Sequence, residues 1–217
     1  MTYLTVRRTL PSAAAADGSN TMGIAHTMGE QVVMDFMQWA VLQGAGYEVR
    51  AGTITTPLVG DVAITDTAAE YCIDVNSGYT VLPMANNIAV RLGTGTLHEY
   101  AVKQVATAST VGTAYVPLPI IMGGAACNTT ARVAAAGGVT VTAELATTTR
   151  RHWAWSNPVA AGAGNDLIVP DWRPNPAPPI KGGSNGTCLY VQIAATTTGP
   201  SYYATLTICE FTSAALF

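Results

Sequence analysis

The sequence predicts an all-β protein, an antiparallel β-sandwich of jelly-roll type with an N-terminal arm and one short helix. From Gly46 onward, short runs rich in Val, Ile, Thr and Tyr alternate with a period of two. Gly, Pro and Asn separate these runs, and no helical segment intervenes, which is typical of sandwiches and jelly rolls. A chain of 217 residues can bury the core of one such domain without a metal ion or a disulfide.

Two segments precede the sandwich. Residues 1–26 are predicted to be an N-terminal arm, because a short alternating run is followed by a proline and an alanine stretch. Residues 27–45 are either a helix or a strand linker. The capping-box spacing of Thr27 and Glu30 and a stop at Gly44 favour a helix over 28–43, whereas the apolar residues of this segment also suit a strand.

The sandwich itself is predicted to cover residues 46–217. Its predicted strands are Tyr47–Thr55, Glu70–Val75, Tyr79–Leu82, Asn87–Leu92, Leu97–Ala106, Thr113–Val116, Val139–Thr147, Thr187–Ala195 and Tyr202–Phe211. Residues 93–96 are predicted to be a hairpin turn. Residues 156–186 form a long Pro/Gly loop, and loops of that length are usually functional. Leu167–Val169 and Trp172 are the apolar anchors expected to hold it.

The charge content is unusually low. Only 11% of residues are charged, against about 25% in a typical soluble domain. The net charge of −3 and the presence of only two lysines argue against a nucleic-acid-binding protein, which normally has a basic face. So few charges protect a monomer's surface poorly, so we expect other copies of the chain to cover much of it.

Cysteine and histidine patterns predict neither a disulfide framework nor a metal site. The four cysteines have no C-x-x-C spacing and are expected to be buried free thiols, although Cys188 and Cys209 lie on strands expected to pair and could form one bridge. His26 and Glu30 could meet on a helix, but two ligands do not make a zinc site. The acidic row Asp61, Asp66, Glu70 and Asp74 lacks calcium-loop spacing. We therefore predict no catalytic residue, cofactor or metal ligand, and no enzyme activity.

The segment TTTRRHWAWSNP, residues 147–158, concentrates aromatic and basic side chains. On a strand, Arg151, Trp153 and Trp155 would share one face, where the rings serve either as core or as an intersubunit contact. Trp and Arg are enriched at interface hot spots. The candidate subunit-interface residues are Arg150, Arg151, Trp153, Trp155, Trp172, Arg7 and Arg8.

Two longer stretches resemble viral single-jelly-roll capsid proteins of bacterial or archaeal icosahedral viruses. AGTITTPLVGD (51–61) with AEYCIDVNSGYTVLPMANNIAV (69–90) resembles their opening strands, and PPIKGGSNGTCLYVQIAA followed by YYATLTICEF resembles their final strand pair. The resemblance covers roughly residues 46–217. The lack of a basic arm departs from it and argues against direct genome packing.

The resemblance implies a structural virion protein, a coat subunit that self-assembles into an icosahedral shell through side-wall, arm and loop contacts. Its partners would be other copies of itself, with a second capsid protein or an internal membrane, and no sequence-specific nucleic-acid binding is expected. Its location would be the capsid shell of the virion. A minor capsid or decoration protein and a carbohydrate-binding, lectin-like jelly roll are the alternatives, and a hydrolase is the weakest option.

Overall fold

The structure is a computed structural model, and it describes residues 24–25, 31–32, 36–92, 97–134, 138–144, 149–158 and 171–216. It is mostly β, with two antiparallel sheets packed face to face and one short α-helix, which confirms the predicted β-sandwich. In chain order its elements are β1 (Ile24–Ala25), β2 (Gln31–Val32), α1 (Phe36–Leu42), β3 (Gly46–Ala51), β4 (Leu58–Val59), β5 (Ala68–Ala69), β6 (Tyr71–Val75), β7 (Tyr79–Leu92), β8 (Leu97–Val105), β9 (Thr113–Tyr115), β10 (Leu118–Pro119), β11 (Thr130–Val133), β12 (Val139–Thr140), β13 (Arg150–Pro158), β14 (Asp171–Trp172), β15 (Ile180–Lys181), β16 (Thr187–Ala195), β17 (Ser201–Thr212) and a final 3₁₀ turn (Ser213–Ala215).

One sheet has seven strands and is organised around the long β7–β17 pair. Its order is β10-β3-β17-β7-β14, and β15 and β4 pair in addition with β7 and β17. Strand β7 is continuous, so the prediction of two strands separated near Pro83 is wrong. The register between β17 and β7 shifts between Thr207 and Ile208, and Ile208 pairs with Pro83. Because proline has no N–H for the ladder, a bulge is where a strand tolerates it.

The other sheet has six strands in the order β13-β8-β16-β6-β11-β9. Every residue of β16 is buried, which means that both faces of this sheet are covered. Leu189, Val191 and Ile193 belong to the core between the sheets, whereas Cys188 and Tyr190 belong to a second cluster on the outer face. Val139 and Val141 complete that second cluster, so the chain between β8 and β13 packs over the outer face.

The main core lies between the sheets. The rings of Tyr71 and Tyr202, one from each sheet, lie 6.4 Å apart between centroids. Its buried members are Tyr47, Val49, Ala51, Tyr71, Ile73, Val75, Val81, Ile88, Tyr100, Val102, Cys127, Ala131, Trp172, Ile180, Leu189, Val191, Ile193, Tyr202, Ala204, Leu206 and Ile208. These residues alternate along their strands with outward-facing ones, as the period of two predicts.

The helix is shorter than predicted. It begins at Phe36 rather than near residue 28, and residues 31–32 form a strand with residues 24–25. The predicted stop at Gly44 is confirmed: Gly44 has φ +74° and donates to the carbonyl of Val41, and Ala45 donates to Ala40. The predicted capping box at 27–30 lies outside the described residues.

Two pairings expected from the sequence are wrong. Strands β7 and β8, which flank residues 93–96, belong to different sheets and do not pair with each other, and residues 93–96 themselves lie outside the described residues. Strands β16 and β17 also lie in different sheets, which separates Cys188 from Cys209. All four cysteines are buried and free, as predicted. Successive strands change sheets, a property that local sequence does not encode.

The predicted long loop contains regular structure. Strand β13 extends to Pro158, and β14 and β15 both pair with β7, so residues 171–181 follow one strand of the seven-stranded sheet. The predicted anchor Trp172 packs in the main core, which holds this segment to the sandwich. Leu167–Val169, the other predicted anchor, lies outside the described residues.

Candidate functional site

The two sides of the sandwich differ in chemistry. The Tyr115 hydroxyl of β9 lies 2.8 Å from the amide nitrogen and 2.7 Å from the carbonyl oxygen of Arg50 in β3, so these strands lie on the same side. Since β9 ends the six-stranded sheet and β3 lies beside the end of the other, β13 and β14 end the two sheets on the opposite side. We call this the β13–β14 side.

The predicted interface residues of the RRHWAW segment lie on β13, the edge strand next to β8 among the described strands. The register shifts between Arg151 and Trp153: Arg151 pairs with Lys103, whereas Trp153 pairs with Val102. The side chains of Arg151, Trp153 and Trp155 lie outside the described part of the structure, so the face that they share stays a prediction. Arg150 is exposed.

The other predicted interface residues are not gathered with this strand. Trp172 lies on β14, at the β13–β14 side of the sandwich, but it is only 7% exposed and packs in the main core. It therefore offers no ring face for stacking and acts within its own chain. Arg7 and Arg8 lie outside the described residues.

An exposed apolar segment, not predicted from the sequence, lies at the other side of the sandwich. We call residues 116–122 the apolar edge. Its exposed side chains are Val116 at 51%, Leu118 at 47%, Ile121 at 37% and Met122 at 97%. Exposed clusters of this kind mark interaction surfaces. The uncharged run VPLPIIM is the sequence signal of this segment.

Two features shape the apolar edge. Strand β10 within it is the terminal strand of its sheet and pairs only with β3 among the described strands. Pro117 and Pro119 lack the N–H groups that an added strand would need, so a partner has to bind through side chains. The end of α1 lies next to it, because Val41 and Ile120 both approach Gly46.

Buried charges anchor the segments around the sandwich. The Glu210 carboxylate accepts hydrogen bonds from the backbone N–H groups of Asn128 (2.8 Å) and Thr129 (2.7 Å) and from the Thr129 hydroxyl (2.6 Å). These contacts hold the chain just after the apolar edge to β17. Carboxylates that accept several such bonds are strongly stabilised, and a buried N–H deprived of them is costly.

A second set of buried charges fastens the chain between β8 and β13. The Asp74 carboxylate accepts three hydrogen bonds. The donors are the backbone N–H of Ser109 at 2.8 Å, the Ser109 hydroxyl at 2.7 Å and Nε of Arg132 at 3.2 Å. Lys103 is fully buried, and its Nζ lies 2.7 Å from the Glu144 carboxylate. The contacts to Ser109 and Glu144 join the six-stranded sheet to segments outside its strands, whereas the contact between Asp74 of β6 and Arg132 of β11 lies within the sheet.

Glu70 has a different environment. Its carboxylate accepts from the backbone N–H of Ile193 at 2.7 Å and from that of Asp61 at 3.4 Å. Among the described residues no Lys or Arg forms an ion pair with it. Burial, and to a smaller extent the negative charge of Asp61, raise the pKa of Glu70 from 4.5 to about 8, against the lowering effect of the hydrogen bonds from backbone N–H groups.

The four carboxylates of the acidic row, Asp61, Asp66, Glu70 and Asp74, have different surroundings. The Asp74 carboxylate accepts hydrogen bonds from Ser109 and Arg132, and the Glu70 carboxylate accepts one from the backbone N–H of Ile193. Asp61 and Asp66 are exposed. His98 is buried and stacks on Tyr100, with ring centroids 6.4 Å apart. His26 lies outside the described residues.

Comparison with protein-family models, characterised proteins and solved structures finds no match to this chain. Within the described ranges, no helix is long and apolar enough to cross a membrane.

Proposed function

We propose that this chain is a jelly-roll coat subunit that assembles with copies of itself into a closed shell. The first support is the strand order. We number the eight principal strands from first to eighth in chain order: β3, β6, β7, β8, β13, β14, β16 and β17. In one sheet the neighbouring strands are then the first, eighth, third and sixth, and in the other sheet they are the second, seventh, fourth and fifth.

That order is what a rolled antiparallel ribbon produces. Pairing the first strand with the eighth, the second with the seventh, the third with the sixth and the fourth with the fifth describes one long hairpin. Rolling it up brings the eighth strand against the third and the seventh against the fourth. Two four-stranded sheets with these neighbours are the jelly-roll arrangement. The other strands extend the sheets or cover them.

The observation that carries the functional proposal is the apolar edge. Met122 is 97% exposed, beside three further exposed apolar side chains, on a chain with only 11% charged residues. Glu70, Asp74, Lys103 and Glu210 are buried, which leaves still fewer charges for the surface. Such a surface associates readily because little charge repulsion opposes contact.

The two sides suit a head-to-tail contact. The apolar edge and the β13–β14 side are different surfaces on opposite sides of the sandwich. A contact between unlike surfaces repeats from copy to copy and closes when its rotation allows. Each contact can be weak because closure multiplies contacts. We also propose that the arm (residues 1–26) and the long loop (residues 156–186) contact neighbouring copies in the shell. A second coat protein or an internal membrane would be a further partner. The location would be the virion shell, and no enzymatic activity is proposed.

The test is negative-stain electron microscopy with light scattering on the purified protein. We expect closed particles or regular multimers, and we expect Leu118→Glu with Met122→Glu to yield folded monomers. Val62→Glu is the matched control, since Val62 is 60% exposed but lies outside the apolar edge. A wild-type protein that stays monomeric at high concentration across salt and pH refutes the proposal.

A further inference from the structure

Three metal-ligating side chains meet in the second core, on the outer face of the six-stranded sheet. Cys72 and Asp74 alternate along β6 and so share one face, and Cys188 of β16 pairs in register with Asp74. The sulfur atoms of Cys72 and Cys188 and a carboxylate oxygen of Asp74 lie within 4.8 Å of one another, and all three residues are buried.

Two further groups complete the surroundings. The Ser109 hydroxyl lies 3.1 Å from the Cys72 sulfur and 2.7 Å from the Asp74 carboxylate. The Arg132 guanidinium contacts the same carboxylate through Nε at 3.2 Å. Ser109 comes from the chain that covers the sheet, so the cluster joins the covering segment to β6 and β16.

We propose that Cys72, Asp74 and Cys188 form a binding site for a thiophilic divalent metal ion of the zinc class, with the Ser109 oxygen beside the fourth position. Two thiolates and a carboxylate are ligands that zinc accepts, and buried zinc sites are structural. In a tetrahedral site with Zn–S bonds of about 2.3 Å, neighbouring sulfurs lie about 3.8 Å apart. Side-chain shifts of about 1 Å or less therefore suffice to bring the three ligand atoms onto one ion.

The charges of this arrangement balance. Two thiolates and one carboxylate carry three negative charges, and a divalent ion with the Arg132 guanidinium supplies three positive ones. A buried site with no net charge avoids the large cost of an uncompensated ion. Neither the thiols nor Asp74 needs any other counter-ion.

Binding exchanges protons for metal. Each Cys sulfur loses its S–H proton to solvent and forms a bond to the ion, so one divalent ion releases two protons. Burial raises the pKa of Cys188 well above its usual range, and the neighbouring Cys72 and Asp74 raise it further.

The experiment refolds the full chain from guanidinium with Co²⁺, a spectroscopic substitute for zinc, and records thiolate-to-cobalt charge-transfer absorption. Metal content of protein refolded with Zn²⁺ is measured in parallel. We expect one ion per chain in the wild type, loss of the absorption band in Cys72→Ala and Cys188→Ala, and an unchanged band in Cys209→Ala. Cys209 is the matched control because it is a buried free thiol of the other sheet.

A wild-type protein that folds with Co²⁺ and shows no thiolate band overturns the site, as does an equal loss of the band in Cys209→Ala. If the alanine variants fail to fold, proton release from the wild type decides the question. Two protons released per bound ion support the thiolate site, and a release near zero refutes it.

Discussion

Replacing Glu70 with glutamine is expected to remove most of the pH dependence of this protein's stability near neutrality. Glu70 is 4% exposed and faces the backbone N–H groups of Ile193 and Asp61 with no ion pair among the described residues. Its pKa rises from 4.5 to about 8 because burial disfavours the charged form. The folded protein therefore holds a proton that the unfolded chain releases.

The sign and size follow from linkage. Between pH 4.5 and about 8 the folded state binds one more proton at Glu70 than the unfolded state does, so raising the pH favours unfolding. The contribution is fully present below pH 4.5 and is lost as the pH rises through the folded pKa. At about 1.4 kcal/mol per pH unit, the loss over this window is at most about 5 kcal/mol.

Glutamine has nearly the same shape and carries no charge. Its carbonyl oxygen can still accept from Ile193, while the long contact to the Asp61 N–H is lost, which costs about 1 kcal/mol. Near pH 5 the variant should be equal to or slightly less stable than the wild type. At pH 8 it should be more stable by several kcal/mol, so the two stability curves cross.

Urea unfolding at pH 5, 6, 7, 8 and 9 measures both curves, in a Leu118→Glu/Met122→Glu background to suppress association. Asp66→Asn is the matched control: Asp66 is an exposed carboxylate nearby, and its removal should leave the slope unchanged. Asp61→Asn should lower the pKa of Glu70 in the folded state and so shorten the pH range over which stability falls. Parallel curves for wild type and Glu70→Gln refute the reasoning, because Glu70 would then ionise alike in both states.

Three further predictions concern stability. Glu210→Ala leaves the buried N–H of Thr129 and the partly buried N–H of Asn128 without their acceptor, so it should lower the free energy of unfolding by about 3 kcal/mol. Glu210→Gln should be milder, and an equal effect of both variants in urea unfolding would contradict this. Lys103→Met should cost about 1–3 kcal/mol because it removes the buried cation of the ion pair with Glu144, and a neutral result in urea unfolding would mean that this ion pair adds nothing. Gly199→Ala should lower the melting temperature, since its Cβ would lie 1.7 Å from the carbonyl oxygen of Gly60, whereas the control Gly183→Ala meets no atom closer than 3.5 Å and should change little.

The strands were predictable where local pattern determines them. The runs around β6, β8, β16 and β17 alternate or are continuously apolar, and their bounds match the predicted ones within a residue or two. Sheet membership was not predictable, because it depends on which strands meet after the chain crosses the sandwich. Pro83 shows the same limit: its effect depends on a bulge against Ile208, 125 residues further along the chain.

The anchoring contacts were also out of reach of the sequence. Glu210 binds Asn128 and Thr129 over 82 and 81 residues of chain, and a carboxylate in a strand gives no local sign of that role. The interface prediction centred on β13, where the register shifts by one residue between Arg151 and Trp153, a feature that the local alternation of the sequence does not reveal. The apolar edge, in contrast, was visible as an uncharged run.

Under the proposed assembly, the prolines of the apolar edge determine what kind of contact can form. An edge strand with free N–H groups could add strands indefinitely, and open-ended pairing leads to aggregation rather than shells. Pro117 and Pro119 remove those donors, so a partner meets Leu118 and Met122 as side chains alone. Burying one such side chain contributes about 1.5–3 kcal/mol, so each contact is weak and reversible. Misplaced copies can then dissociate before the shell closes. A charge at Met122 should be sufficient to prevent the contact between copies.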